Sequence, residues 1–141
     1  MKDALVSKYY RVSVSTGGYT EYNLKADNML KFTNSKNNKL GLPLPKGTVR
    51  TFKQDTADQS LEFVGEDSID HTPQNEDVKL KIGSAFDIVV KKVIASRTSK
   101  DSGGWNADVH LEITNHRNTS SKVVVELTNN YGDNLEIDWA P

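Results

Sequence analysis

WNADVHLEI, from Trp105 to Ile113, alternates without a break. Trp105, Ala107, Val109, Leu111 and Ile113 are apolar, and Asn106, Asp108, His110 and Glu112 between them are polar. Successive side chains of a β-strand point to opposite faces, so this pattern describes a strand with one face on a core and one in water. The same period recurs on both sides. Val123, Val125 and Leu127 continue it downstream, as do Leu135, Ile137 and Trp139. Upstream it is carried by Tyr10, Val12 and Val14, by Leu30 and Phe32, and by Val78, Leu80 and Ile82. Residues 48–53 and 60–64 add two strands joined by a turn-rich segment, 54–59. Ile88, Val89 and Val90 with Val93 and Ile94 suggest a strand buried on both faces for part of its length.

No window keeps a helical apolar stripe beyond about ten residues. Residues 84–86 allow one helical turn. Turn-forming clusters are frequent: Gly17-Gly18, residues 34–38, Pro43 and Pro45, residues 70–73, Gly103-Gly104 and residues 129–132. Eight or nine short strands with turns at this spacing predict an all-β fold, an antiparallel β-sandwich of immunoglobulin-like character. The expectation is one domain over residues 1–141, because the 28 residues before Met29, where the composition shifts, cannot form a core alone.

Composition removes several function classes. The chain has 141 residues, a formal net charge of −1 and no cysteine. Disulfide scaffolds, thiolate zinc sites, iron–sulfur clusters and cysteine nucleophiles are excluded. Near-zero net charge disfavours nucleic acid as a partner bound through a basic field. The opening residues, MKDALVSKYYRVSV, contain no long apolar run, so they read as neither a secretory signal nor a membrane span. The compartment stays open.

Between residues 41 and 89 the chain reads GLPLPKGTVRTFKQD, then LEFVGEDSIDHTP, then VKLKIGSAFDIV. This order resembles the uncharacterised C-terminal domain of mucoidy-inhibitor-A-like proteins. The resemblance lies on Pro43, Leu44, Pro45, Gly47, Val49 and Arg50. It continues through Phe63, Val64, Gly65, Glu66, Asp67, Ile69, Asp70, His71, Thr72 and Pro73, and then Gly83, Ala85, Phe86 and Asp87. Ile113, Asn115 and His116 look like the family's Asn-His strand end. Family-like motifs extend from about residue 29 to 141. The family usually closes with Gly-Asp-Trp-Glu. Here Gly132-Asp133 is followed by Asn134-Leu135-Glu136, and Trp139 comes later. The N-terminal domain and coiled coil of longer members are not in this sequence. The resemblance implies a β-rich module linked to the cell envelope, and no reaction.

The densest polar segment is GEDSIDHTPQNED, residues 65–77. Glu66, Asp67, Asp70 and His71 are the candidate binding residues, as a contact loop at one end of a sandwich. Carboxylates near an imidazole suit a hard or borderline cation, although the spacing fits no EF-hand loop. The structural alternative has Asp70 and Pro73 shaping a turn that His71 braces. His110 and His116 fall on one strand face about 20 Å apart, too far to share a metal. Lys79 with Lys81, and Lys91 with Lys92, suggest guarded strand edges. No serine sits in a nucleophile elbow, no phosphate loop is present, and no catalytic residue, metal ligand or cofactor is assigned.

Aromatic residues supply the last signal. Tyr9, Tyr10, Tyr19 and Tyr22 cluster near the start; Trp105, Tyr131 and Trp139 lie later. Exposed rings can stack on sugars. Trp105 and Trp139 are in phase with aliphatic neighbours, which predicts burial. The expectation is a non-enzymatic binding or scaffolding module whose partner is a protein or an envelope component. The alternatives are a carbohydrate-binding module using Tyr and Trp rings, and a metal-dependent hydrolase using the acidic segment around His71. Monomer and weak edge-strand dimer both remain open.

Overall fold

The computed structural model describes residues 4–128, and they form an all-β fold. Seven strands are present among them: β1 (Ser7–Ser15), β2 (Glu21–Thr33), β3 (Gly47–Gln54), β4 (Leu61–Ile69), β5 (Asp77–Ser99), β6 (Trp105–Asn115) and β7 (Val123–Thr128). The one helical element described is a 3-10 turn at Lys36–Asn38, capped by Ser35. No helix among the described residues is long and apolar enough to cross a membrane. The expected strand through Leu135, Ile137 and Trp139 lies outside the described residues.

The strands form two sheets. One has the order β6-β5-β2-β1-β7 and curls into half a barrel; the other is the β3–β4 hairpin, here called the arm. The expected antiparallel pairing holds for β1–β2, β2–β5, β3–β4 and β5–β6, but β7 runs parallel to β1. The reason is topological. β6 ends at the end of the sheet where β1 begins, and residues 116–122 then cross to the far side of β1. The next strand must therefore run the way β1 runs.

β5 corrects two local expectations. The helical turn at 84–86 is extended strand, and the two predicted strands around it are one strand of 23 residues. Bulges give this strand its bends. Asn28 faces Gly83 while Met29 faces Lys81, so Ile82 is an extra residue on β5. Lys25 faces Val89 while Ala26 faces Ala85, so residues 86–88 form a second excursion. A third bulge falls on β2, where Asn23 takes a left-handed φ of 59°. β2 also passes straight through Met29, so the composition shift there is no break in the structure.

Two apolar clusters follow from this register. Leu24, Ala26, Asn28, Leu30 and Phe32 occupy alternate positions of β2 and share one face. At one end, Ala26 and Leu24 join Tyr10, Val12, Val14, Ala85, Ile88 and Val90. At the other, Phe32 and Leu30 join Val78 and Leu80, with Val49 and Ile69 of the arm packed over them. The opposite face carries ion pairs. Asp27 bridges Arg11 at 3.2 Å and Lys81 at 2.8 Å, and Asp77 holds Lys31 at 2.7 Å. Lys92, expected beside Lys91 on a guarded edge, is fully buried. Its Nζ donates to the Ser15 and Gly17 carbonyls at 3.0 and 2.9 Å and pairs with Glu21 at 2.6 Å. It thereby fastens the β1–β2 turn to β5.

Asn34 joins the layers. Its side chain is buried immediately after β2. Nδ2 donates to the carbonyls of Leu42 at 2.8 Å and Pro73 at 3.0 Å, and Oδ1 accepts the Gly41 N–H at 3.0 Å. Its backbone exchanges bonds with Glu76 and Asn75. One residue thus ties together the chain entering the arm and the chain leaving it.

Asn34→Ala is expected to lower the unfolding free energy by about 3 kcal/mol, since several buried backbone groups lose their partner at once. The urea midpoint at constant slope measures it, and a loss under about 1 kcal/mol would show that water replaces the carboxamide. A second expectation concerns acid. Burial works to raise the Asp27 carboxyl, but hydrogen bonds and charges from Lys81 and Arg11 outweigh it and hold the group below its ordinary value. Lys31 and Thr33 hold Asp77 low in the same way. A depressed carboxyl stabilises the fold above its unfolded value, about 3.9, and that contribution is lost as pH falls through the folded value. Urea midpoints should therefore be level near neutrality and drop below about pH 4. Asp27→Asn should be less stable at pH 7 and show a shallower acid slope.

Candidate functional site

The acidic segment is taken apart by the period of the strand it lies on. The expected loop from residue 65 to 77 is strand as far as Ile69 and loop only over 70–76. Glu66 and Asp67 are neighbours on β4 and point to opposite faces of the arm. Glu66 lies on the outer face and accepts from Arg50 Nε at 3.1 Å across the strand pair. Asp67 lies on the inner face, where Oδ2 accepts the backbone N–H of Lys81 at 2.8 Å, beside the Ile82 bulge. Gly65 sits over that bulge; a Cβ there would stand 2.3 Å from the Ile82 carbonyl oxygen.

Asp70 and His71 follow the strand. The Asp70 carboxylate is 92% exposed and stands 3.7 Å from Lys46 Nζ. His71 Nδ1 accepts the Lys46 backbone N–H at 3.3 Å, which braces the loop as its structural reading expects. Leu44 and Thr72 exchange backbone bonds beside it. The structure therefore gathers Asp70 and His71 near Lys46 and sends Glu66 and Asp67 elsewhere. No three His, Asp or Glu side chains among the described residues are placed to hold one metal ion. His110 is exposed on β6, and the His116 N–H donates to the Asp87 carbonyl at 2.8 Å.

Two other places concentrate chemistry. The first is an open cleft of about 340 Å³ beside the Tyr10–Ala85 end of the apolar core, lined by Lys8, Tyr10, Asn28, Phe86, Asp87 and Arg117 among others. Asn28 is the polar interruption of the apolar row on β2 and pairs with Tyr10 on β1. Its Nδ2 donates to the Ser84 carbonyl at 3.3 Å, while its buried Oδ1 has no donor among the described residues. Arg117 donates to the Tyr10 hydroxyl and stands 3.3 Å from Asp87. Lys8 Nζ lies 5.5 Å over the Tyr10 ring. Phe86 rides on the second β5 excursion and is 84% exposed. Phe86 and Asp87 belong to a quoted motif, but nothing sequential links them to Tyr10, Asn28 or Arg117. The one available signal was Asn28 breaking an alternating apolar row.

The second place is the outer face of the arm. Phe52 and Phe63 face each other across the strand pair, edge to face, with centroids 5.7 Å apart. Phe63 is 57% exposed, and Leu61 and Phe52 are exposed beside it. Tyr19, Tyr22 and Trp105 are also exposed. Trp105 corrects the expectation of burial: it is 63% exposed, because β5 and β6 run past the core there and its phase no longer meets other apolar groups. Tyr131 and Trp139 lie outside the described residues.

No family model matches the chain, and no curated protein or solved structure is similar to it at a significant level.

Gly65→Ala tests how the arm is seated. Its methyl group meets backbone rather than a movable side chain, so the arm must shift off β5. A loss of about 2 kcal/mol or more is expected from the urea midpoint, with new amide exchange in β4 and little change in β1 and β7. An unchanged midpoint would show that the close approach at Ile82 does not hold the arm.

Proposed function

We propose that this chain is a non-enzymatic recognition module that takes an extended segment of a protein partner on the arm. The finer architecture in this proposal is an immunoglobulin-like β-sandwich, with the half-barrel as one layer and the arm beginning the other. The packing of Val49 and Ile69 over Phe32, Val78 and Leu80 supports that arrangement. The place proposed for it is the cell envelope, on the resemblance of residues 41–89 to the mucoidy-inhibitor-A-like C-terminal domain.

The observation that carries the binding role is the outer face of the arm. Phe52, Leu61 and Phe63 expose apolar surface there, worth about 25 cal/mol for each Å² a partner would cover. A contiguous apolar patch of this kind on a small domain marks an interaction surface. Among the described residues β3 pairs only with β4, so its other side presents unpaired main-chain groups next to the rings. An added strand takes hydrogen bonds from such an edge while its alternate side chains cover the neighbouring face.

Selection of a displayed peptide library on the purified chain tests this. Enriched peptides should alternate apolar and polar residues, protect β3 amides from exchange, and lose at least tenfold in affinity to the Phe52→Ser/Phe63→Ser double variant. That variant should melt within a few degrees of the parent. Failure to enrich, or protection located away from β3, would overturn the reading. Self-association abolished by the same double variant would replace the foreign partner with a second copy of the chain. A second reading rests on Tyr19, Tyr22 and Trp105, each exposed, as rings on which a sugar could stack. It predicts fluorescence quenching by a polysaccharide that is lost in Trp105→Ala.

A further inference from the structure

We propose that β6 is a dimerisation edge: two copies of the chain pair antiparallel along it, about a twofold axis through Val109, and so join their two sheets into one. This surface is separate from the arm and does not rest on it. Among the described residues β6 is hydrogen-bonded on one side only, to β5. Its other side presents a row of unpaired N–H and C=O groups. Edges of that kind are ordinarily blunted by Lys, by Pro or by a bulge on the edge strand. β6 reads WNADVHLEITN and contains neither Lys nor Pro. The bulge in this pair lies on the interior strand: Ile94 faces Val109 while Ser96 faces Asp108, so Ala95 is the extra residue on β5 and β6 runs regular.

A second copy is the occupant because the strand is complementary to itself in one register. Directly opposite residues of an antiparallel pair point to the same face, so a twofold axis passes through a residue and never between two. An axis through Asp108 or Glu112 sets a carboxylate against itself, and one through His110 sets Asp108 against Glu112. Like charges directly opposite are destabilising. An axis through Leu111 leaves Trp105 beyond the end of the partner's strand. The axis through Val109 sets Asp108 against His110 twice, Asn106 against Glu112 and Ala107 against Leu111, and it brings Trp105 over Ile113. Trp105 and Ile113 are the large apolar side chains that β6 leaves exposed. An aromatic ring opposite a β-branched side chain is a favourable cross-strand pair. Trp105 stands past its own core and meets an apolar group across the axis. Val109 and Leu111 lie half-buried on that same face, and Leu111 packs against the cluster of Tyr10 and Val90. The apolar row of one copy therefore runs on into that of the other.

The chain has no cysteine, so single-cysteine variants read the register directly. Asp108→Cys, Val109→Cys, His110→Cys and Leu111→Cys are oxidised gently and compared. Only Val109→Cys places two sulfurs directly opposite, on Cα atoms about 4.5–5.5 Å apart and within disulfide reach. It should form a linked dimer at least tenfold faster than the other three. Sedimentation of the parent chain from about 1 μM to about 1 mM should show a monomer–dimer equilibrium, with protection of β6 amides rising alongside it. Asp108→Lys and His110→Glu, both at exposed positions, should each weaken the dimer about tenfold with little change in melting. The double variant exchanges the two charges and should restore association. Faster linkage at 108, 110 or 111 would overturn the proposal, as would a double variant no better than the single ones. A chain that sediments as a monomer throughout would overturn it too, whether the β6 amides are open or already protected within one copy. Association that Phe52→Ser/Phe63→Ser abolishes and Asp108→Lys leaves intact belongs to the arm, and would overturn it as well.

Discussion

The carboxamide of Asn34 is the constraint on which the rest depends. A hairpin of two strands is marginal in water by itself. The arm persists because its inner face covers Phe32, Val78 and Leu80, and it reaches that position only if the chain enters and leaves at fixed points. Asn34 sets both points. One side chain satisfies backbone groups of residues 41, 42 and 73, and its own backbone holds 75 and 76. The bonds are buried, so each broken one leaves a polar group without water, which is why such a hub specifies geometry as well as stability.

β5 is the second organising element, and its irregularities matter more than its regular stretches. A strand of 23 residues cannot stay straight and follow a curled sheet. Its extra residues fall at Ile82 and over 86–88. The first is where the arm lands: Gly65 lies against the Ile82 carbonyl, and Asp67 takes the Lys81 N–H. The second lifts Phe86 to the rim of the cleft. The bends that let the sheet curl thus also place the arm and shape the cleft.

Charged side chains divide by face in the same way. Arg11, Asp27 and Lys81 interlock on the side of the sheet away from the apolar row. Lys92 points inward and is spent on two carbonyls and Glu21. An interior ammonium of this kind acts as a clasp between a turn and the strand beside it, because its full donor capacity is used within the fold.

Alternation along the chain was enough to show the all-β fold and most strand positions, because a side chain's face on a strand depends only on parity. The strand pair read at 48–53 and 60–64 and the bracing role of His71 were legible for the same local reason, whereas 65–69, read as loop, continue β4. Parity cannot count bulges, so two predicted strands were one and the turn at 84–86 was strand. It cannot see where a strand outruns its core, so Trp105 was expected to be buried. The parallel pairing of β7 depends on which end of the sheet β6 reaches, and no local pattern records that. The candidate sites divide likewise. Glu66, Asp67, Asp70 and His71 stood out because they are adjacent in sequence, and adjacency on a strand sends neighbours to opposite faces. Tyr10, Asn28, Asp87 and Arg117 come from four separate stretches and meet because the sheet curls. Parity along the chain limits which residues can face inward; which of them meet depends on register and curvature summed over the whole sheet.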